Sequence, residues 1–297
     1  MAEKEKFLVL LKPRDSKQPA IARAAQYSKL QPDIEVTACR IVNNFTEESK
    51  DQITVEETAY FETMKRNYPA ISNFKFKLIF NKNIAETFVE EARDGGYDLA
   101  IISANKRNTI KDLFISTIDS TIMRRTYVPL LVVKDANSSS TLGTAILIAL
   151  DLSESDHLRE LDEYLVKSAR MFADKFNGEI HLVNCVSPLN RGLMSGDTGG
   201  SKILSGTTIN RTGIHFKIAM EFADEYGIPQ DRVHVVEGRI DEEIPRLSEI
   251  LNARMVCMGT TPRSTFFGSI DSIASELVLE QIAGDVFIVS SEHLKTE

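Results

Sequence analysis

Short runs of four to six Val, Ile and Leu residues recur along the chain, and they alternate with longer stretches whose apolar positions return every three or four residues. Runs that are apolar on both sides predict strands buried within a parallel sheet, and the 3.6-residue period predicts helices. Strands are expected near 7–12, 34–42, 75–80, 98–103 and 129–133, with helices over 18–30, roughly 47–68, 84–94 and about 115–126. A second series follows. Its strands are expected near 145–150, 179–186, 232–237, 254–259 and 285–289, and its helices near 155–176, 207–227, 240–251 and 270–281. Strict alternation implies parallel strands joined by right-handed crossovers, with helices on both faces. The fold class is therefore α/β, as two tandem doubly wound five-stranded parallel-sheet domains.

The two series are copies. An offset of 156 positions carries Ile84 onto Ile240, Phe88 onto Ile244, LAII (99–102) onto MVCM (255–258), and LLVV (130–133) onto VFIV (286–289). At the front the offset is 139, carrying FLVLL (7–11) onto ILIAL (146–150), so the second copy holds 17 additional residues. The Ser- and Asn-rich stretch 135–143 is the linker, which assigns domains to 1–137 and 144–297. The additional residues belong to 187–213, a stretch holding six of the chain's fifteen glycines. It follows the second copy's second strand, on the side where such sheets meet ligands, and reads either as a lid or as a tolerated surface insertion.

Length and composition fit this plan: 297 residues make about two domains, and 42% hydrophobic with 26% charged residues is ordinary for a globular chain. A net charge of -8 argues against nucleic-acid binding, which needs clustered Lys and Arg. No apolar window reaches the ~18 residues of a membrane span, and the start MAEKEKFLVLLKPRD lacks a signal-peptide pattern. Cys39, Cys185 and Cys257 are scattered and odd in number, which suits free thiols in a reducing cytoplasm. The five histidines form no metal-ligand spacing, so no metal is expected, and His181 and His234 read as structural. Acidic runs at Glu160, Asp162 and Glu163 and at Asp241–Glu243 read as helix-start or solvated-face charge.

Candidate chemistry concentrates in the second copy. Asp151 follows its first strand and should lie beside Gly259 at the end of its fourth, at the point where the strand order reverses. An Asp there accepts hydrogen bonds from an adenine or a ribose hydroxyl, or else caps the next helix. Gly259 would let the chain turn off its strand. Gly268 and Ser269 precede a helix whose N-terminus favours an anion, and Arg263 is within reach of the same phosphate. In the first copy Lys12 stands where Asp151 stands, and Asp112 stands in the place of Gly268. That copy is expected to keep the fold without a nucleotide, and its Lys106, Arg107 and Lys111 to form a solvated basic loop.

With Asp151, the segment GRIDEEIPRLSEILNARMVCMGT and the Gly268-Ser269 helix start, the whole chain resembles the universal stress protein family, in its tandem E-type form. The resemblance implies the adenine nucleotide alpha hydrolase-like sheet plan and a pseudo-dimer joined through the last strands, 130–135 and 286–291. It also implies Asp151 and the backbone of Cys185 around an adenosine, with Gly259, Gly268 and Ser269 around phosphates. Nucleotide-binding members carry Gly-x2-Gly-x9-Gly-Ser/Thr in that loop. Here Pro262 replaces the second glycine and five residues, not nine, precede Gly268, a loss of ~13 Å of extended chain. The expected ligand is therefore ATP, ADP or AMP, with a full triphosphate grip disfavoured. The alternative is an interaction protein with a vestigial crevice, binding protein partners or further copies of itself. An ATP-hydrolysing enzyme is a third reading, for which no general base or metal cluster stands out.

Overall fold

The computed structural model describes residues 4–104, 117–134, 143–152, 159–186, 211–260 and 278–295. The first half runs β1 (Lys6–Leu10), α1 (Pro19–Leu30), β2 (Glu35–Val42), α2 (Lys50–Asn67), β3 (Asn73–Phe80), α3 (Ile84–Asp94), β4 (Leu99–Ser103), α4 (Thr117–Arg125) and β5 (Leu130–Val133). The second runs β6 (Ala145–Leu150), α5 (Arg159–Phe176), β7 (Glu179–Val186), α6 (Arg211–Glu225), β8 (Val233–Glu237), α7 (Ile240–Ile250), β9 (Met255–Thr260), α8 (described over 278–281) and β10 (Asp285–Ser290).

The strands form one ten-stranded sheet in the order β3-β2-β1-β4-β5-β10-β9-β6-β7-β8. Each half is parallel and doubly wound, as the alternation predicts. The halves join where β5 and β10 pair antiparallel, with Leu131 opposite Phe287 and Val132 opposite Val286. Leu131 and Phe287 are themselves separated by the repeat offset of 156, so the pseudo-two-fold axis passes between them. Each half's last strand thereby covers the other's otherwise unpaired edge.

The central strands are buried on both faces, which explains their unbroken apolar runs. One apolar layer joins Val9, Ile101, Ile148 and Phe287 to helices α1, α2, α5 and α6. The opposite layer joins Leu8, Val132, Val256 and Val286 to α3, α4, α7 and α8. Both layers run across the two halves without interruption. Outer strand β3 reads NFKFKLIF, and its Lys75 and Lys77 are the edge charges that discourage pairing with another sheet.

Local choices agree with this frame. Asn83 caps α3, its side-chain oxygen accepting the Glu86 N–H at 3.2 Å while its amide donates to the Glu86 carboxylate at 3.0 Å. Pro245 lies inside α7 and cannot donate to the carbonyl of Asp241. That carbonyl accepts instead from the Gln281 side chain of α8 at 3.1 Å.

Two polar contacts lock the halves together. Arg23 of α1 lies 2.6 Å from Asp285 at the start of β10, both side chains 3% exposed. Lys134, just past β5, donates to the carbonyls of Leu279, Glu280 and Ile282 at the end of α8, where a helix carries partial negative charge. Removing one partner of a buried ion pair strands the other. Arg23→Ala is therefore expected to destabilise the chain by roughly 3–5 kcal/mol in urea denaturation, whereas Lys217→Ala, at an exposed pair with Glu221, should cost below about 1 kcal/mol.

Candidate functional site

The carboxyl ends of β6, β7 and β9 form one rim of the second half. Register places Ile148 beside Cys257 and Ala149 beside Met258, so Asp151 emerges level with the end of β9. Asp151 is exposed, and it is close enough to Cys185 and Asp162 to act on both electrostatically. Cys185, near the end of β7, is half-buried. Burial, then the charges of Glu243 and Asp151, push its thiol up to about 12.

Behind this rim lies a buried polar chain. Asn184, fully buried, donates to the Leu150 carbonyl at 3.0 Å and pairs through its oxygen with His215 Nδ1 of α6 at 2.8 Å. It fixes the last peptide of β6 and therefore the point from which Asp151 departs. Gly259 serves packing as well as standing near the strand end. The strand continues through Thr260, so the chain does not turn at Gly259; instead a Cβ there would lie 2.7 Å from Leu161 Cδ2. The glycine lets α5 settle onto β9.

Of the two readings of Asp162, helix-start or solvated-face charge, the first holds, since it lies in the first turn of α5, and the second does not. It is 7% exposed, on the same α5 face as Leu161, Leu165 and Val166. Its place in that 3.6-residue period was the available sequence signal. Burial, then the charge of Asp151, push its carboxyl up to about 7.

The structure thus brings Asp151, Cys185 and Gly259 to one rim and adds Asp162 to them. Arg263, Gly268 and Ser269, with Pro262, lie outside the described residues, as does 187–210 of the glycine-rich stretch.

At the equivalent place in the first half, side chains of the chain itself occupy the switch point. Lys12 donates to the Ala104 carbonyl at 3.2 Å, bridging the ends of β1 and β4, and Asp119 balances its charge. Gln18 accepts the Lys12 N–H at 3.0 Å and returns its amide to the Lys12 carbonyl at 3.0 Å. On the first half an open cavity of 390 Å³ lies between Asn43 after β2, Lys82–Ala85 at the start of α3, and Ile118 and Thr121 of α4. Its size is in the range of small-molecule pockets. Asp112, Lys106, Arg107 and Lys111 lie outside the described residues.

His181 Nδ1 and His234 Nε2 lie 3.1 Å apart across β7 and β8, the rings stacked at 15°, which fits a structural pair. Among the described residues no group of three His, Cys, Asp or Glu side chains could hold a metal, and no helix is long and apolar enough to cross a membrane.

The family model described as "Universal stress protein family" matches residues 4–134 and 144–290. Universal stress protein E of Escherichia coli (strain K12) is 25% identical over 313 residues, spanning 100% of this chain and 97% of that protein. The Universal stress protein E homolog of Haemophilus influenzae is 24% identical over 297 residues, 93% of this chain and 94% of its own. Among solved structures, a functionally unknown protein from Pseudomonas aeruginosa PAO1 has the same fold, with a TM-score of 0.73, 19% identity, and 99% and 95% of the two chains covered.

The raised Asp162 carboxyl has a consequence for stability. The folded state holds this proton more tightly than the unfolded chain, so stability falls as pH rises from about 4 to about 7, and the cost is complete above that window. Asp162→Asn is expected to gain roughly 2–4 kcal/mol over the parent at about pH 8, with the difference shrinking toward about pH 4, as measured by urea denaturation.

Proposed function

Because the chain belongs to the universal stress protein family, with its model matching each half in turn, we propose that it serves bacterial stress resistance as a binding module whose second half takes an adenine nucleotide as a regulatory ligand. The observation that carries this reading is the exposed Asp151 carboxylate where the strand order reverses, between the ends of β6 and β9. Ribose hydroxyls and the adenine amine are hydrogen-bond donors, and they suit this rim of acceptors. Asp151 and Glu243, whose charges both reach Cys185, make the same rim acidic, which disfavours phosphate there. The phosphates therefore belong toward Arg263, Gly268 and Ser269. A loop shortened by four residues, with Pro262 in place of a glycine, favours AMP or ADP over ATP.

A second reading is an interaction protein whose second crevice is vestigial. The closure of Lys12 and Gln18 in the first half supports it, as an instance of a crevice already sealed within this chain. In either reading the protein acts in the cytoplasm, where free Cys39, Cys185 and Cys257 remain reduced, and it answers to protein partners or further copies of itself.

Mass spectrometry of small molecules released from freshly purified protein tests the main reading, with an adenine nucleotide as the expected finding. In calorimetric titration, Asp151→Ala is expected to weaken AMP binding by at least about tenfold. Equal binding of AMP and ATP by both proteins would remove Asp151 from the site, and no binding by the parent would favour the second reading.

A further inference from the structure

All five histidines lie in the second half, and two of them face each other. His181 of β7 and His234 of β8 stand 53 positions apart in the chain, so no ligand spacing in the sequence announces them. The sheet brings them together. Val183 is in register with His234 and belongs to the apolar layer of α7, so His234 lies on that face of the sheet. His181, two residues before Val183, shares the face. Its Nδ1 lies 3.1 Å from His234 Nε2, with the rings at 15° to one another. By itself the pair is held by one N–H···N bond, in which one ring donates and the other accepts.

We propose that these two facing nitrogens form a binding site for a late first-row divalent metal ion, Zn²⁺ or Cu²⁺ in class, which clips the outer strand β8 to β7. Metal–nitrogen bonds of about 2.05 Å drawn to nitrogens 3.1 Å apart enclose an angle of about 100°. That angle lies between the tetrahedral and square-planar values, so the ion is chelated by small ring rotations and the strands stay where they are. Imidazole nitrogens suit Zn²⁺, Cu²⁺ and Ni²⁺, whereas Mg²⁺ and Ca²⁺ take oxygen ligands. The ring that donates in the N–H···N bond passes its proton to its own outer nitrogen. Both facing nitrogens then present lone pairs, and the neutral pair loses no proton overall.

The surroundings suit a cation. Burial lowers both imidazoles from their ordinary value, and the charges of His234 and Arg232 add to this at His181, so both rings are neutral and able to ligate at about pH 7. Arg232 is the one neighbouring cation acting on His181; the Glu179 carboxylate takes it at 2.7 Å, and Asp231 adds a further negative charge. Both histidines are half-buried, and β8 is the outermost strand of the ten. Water therefore reaches the pair and supplies the remaining ligands. The pair begins at the third residue of β7, whereas the rim of Asp151 and Cys185 lies at the carboxyl end of that strand, so this site is separate from the one assigned to a nucleotide.

Full-length protein, first dialysed against a chelator, is titrated with Zn²⁺ in a calorimeter at about pH 7.5. Saturable binding of one ion per chain is expected, with a raised thermal midpoint. His181→Gln and His234→Gln each keep a hydrogen-bonding side chain, and each is expected to weaken Zn²⁺ by at least about tenfold. Affinity is expected to fall below about pH 6, where protons take the ring nitrogens. In the parent, Zn²⁺ is expected to move the ring-nitrogen NMR signals of both His181 and His234, and this measurement decides if a variant fails to fold. The site is overturned if Zn²⁺ titrates without saturation, if the folded variants bind it as the parent does, or if both ring signals stay still. Mg²⁺ binding as tightly as Zn²⁺ overturns the transition-metal class.

Discussion

An open parallel sheet ends in a row of unpaired N–H and C=O groups, and in each half of this chain that row is satisfied by the other half. The antiparallel contact of β5 with β10 sets everything around it. It merges ten strands into one sheet and continues both apolar layers across the join. It also carries α1 and α5 over the neighbouring half, where Arg23 meets Asp285 and the rings of Phe7, Tyr27, Phe172 and Phe287 pack on one another. Neither half could bury those groups alone. The ion pair is tolerable at 3% exposure only because its partners come from both sides of the join.

Within that shared frame the copies have gone separate ways at places the fold does not need. At the strand-order reversal, one has Lys12 tied down by Ala104 and Gln18, and the other has Asp151 facing outward. At the start of the last strand, one has Pro129 and the other has Asp285, buried against Arg23 of the opposite half. Backbone geometry is retained in both copies, and chemistry is what differs.

Much of the frame was legible because it follows from period and offset. β6, β7 and α3 begin and end where the apolar pattern places them. Where bounds moved, a side chain had intervened. The helix expected from residue 47 starts at Lys50, because Ser49 and Thr46 exchange hydrogen bonds and hold the preceding turn. The strand expected through residue 12 ends at Leu10, because Gln18 takes both backbone groups of Lys12. The site was legible only in part. Asp151 and Gly259 stand at strand ends, where pattern reading is strongest. The depth of Asp162 and the Asn184–His215 pair depend on which helix face meets which strand, and that is decided in three dimensions.

Joining the halves by a linker changes what the β5–β10 contact asks of the chain. Two separate molecules related by a true two-fold axis must present the same surface twice, so any residue placed on one side is also placed on the other. Here Asp285 has been introduced, with its partner Arg23 on the other half, without its image at position 129, which holds Pro129. The join is also intramolecular, held at an effective concentration set by the connecting segment and not by how much protein the cell makes. Dilution does not separate the two sides.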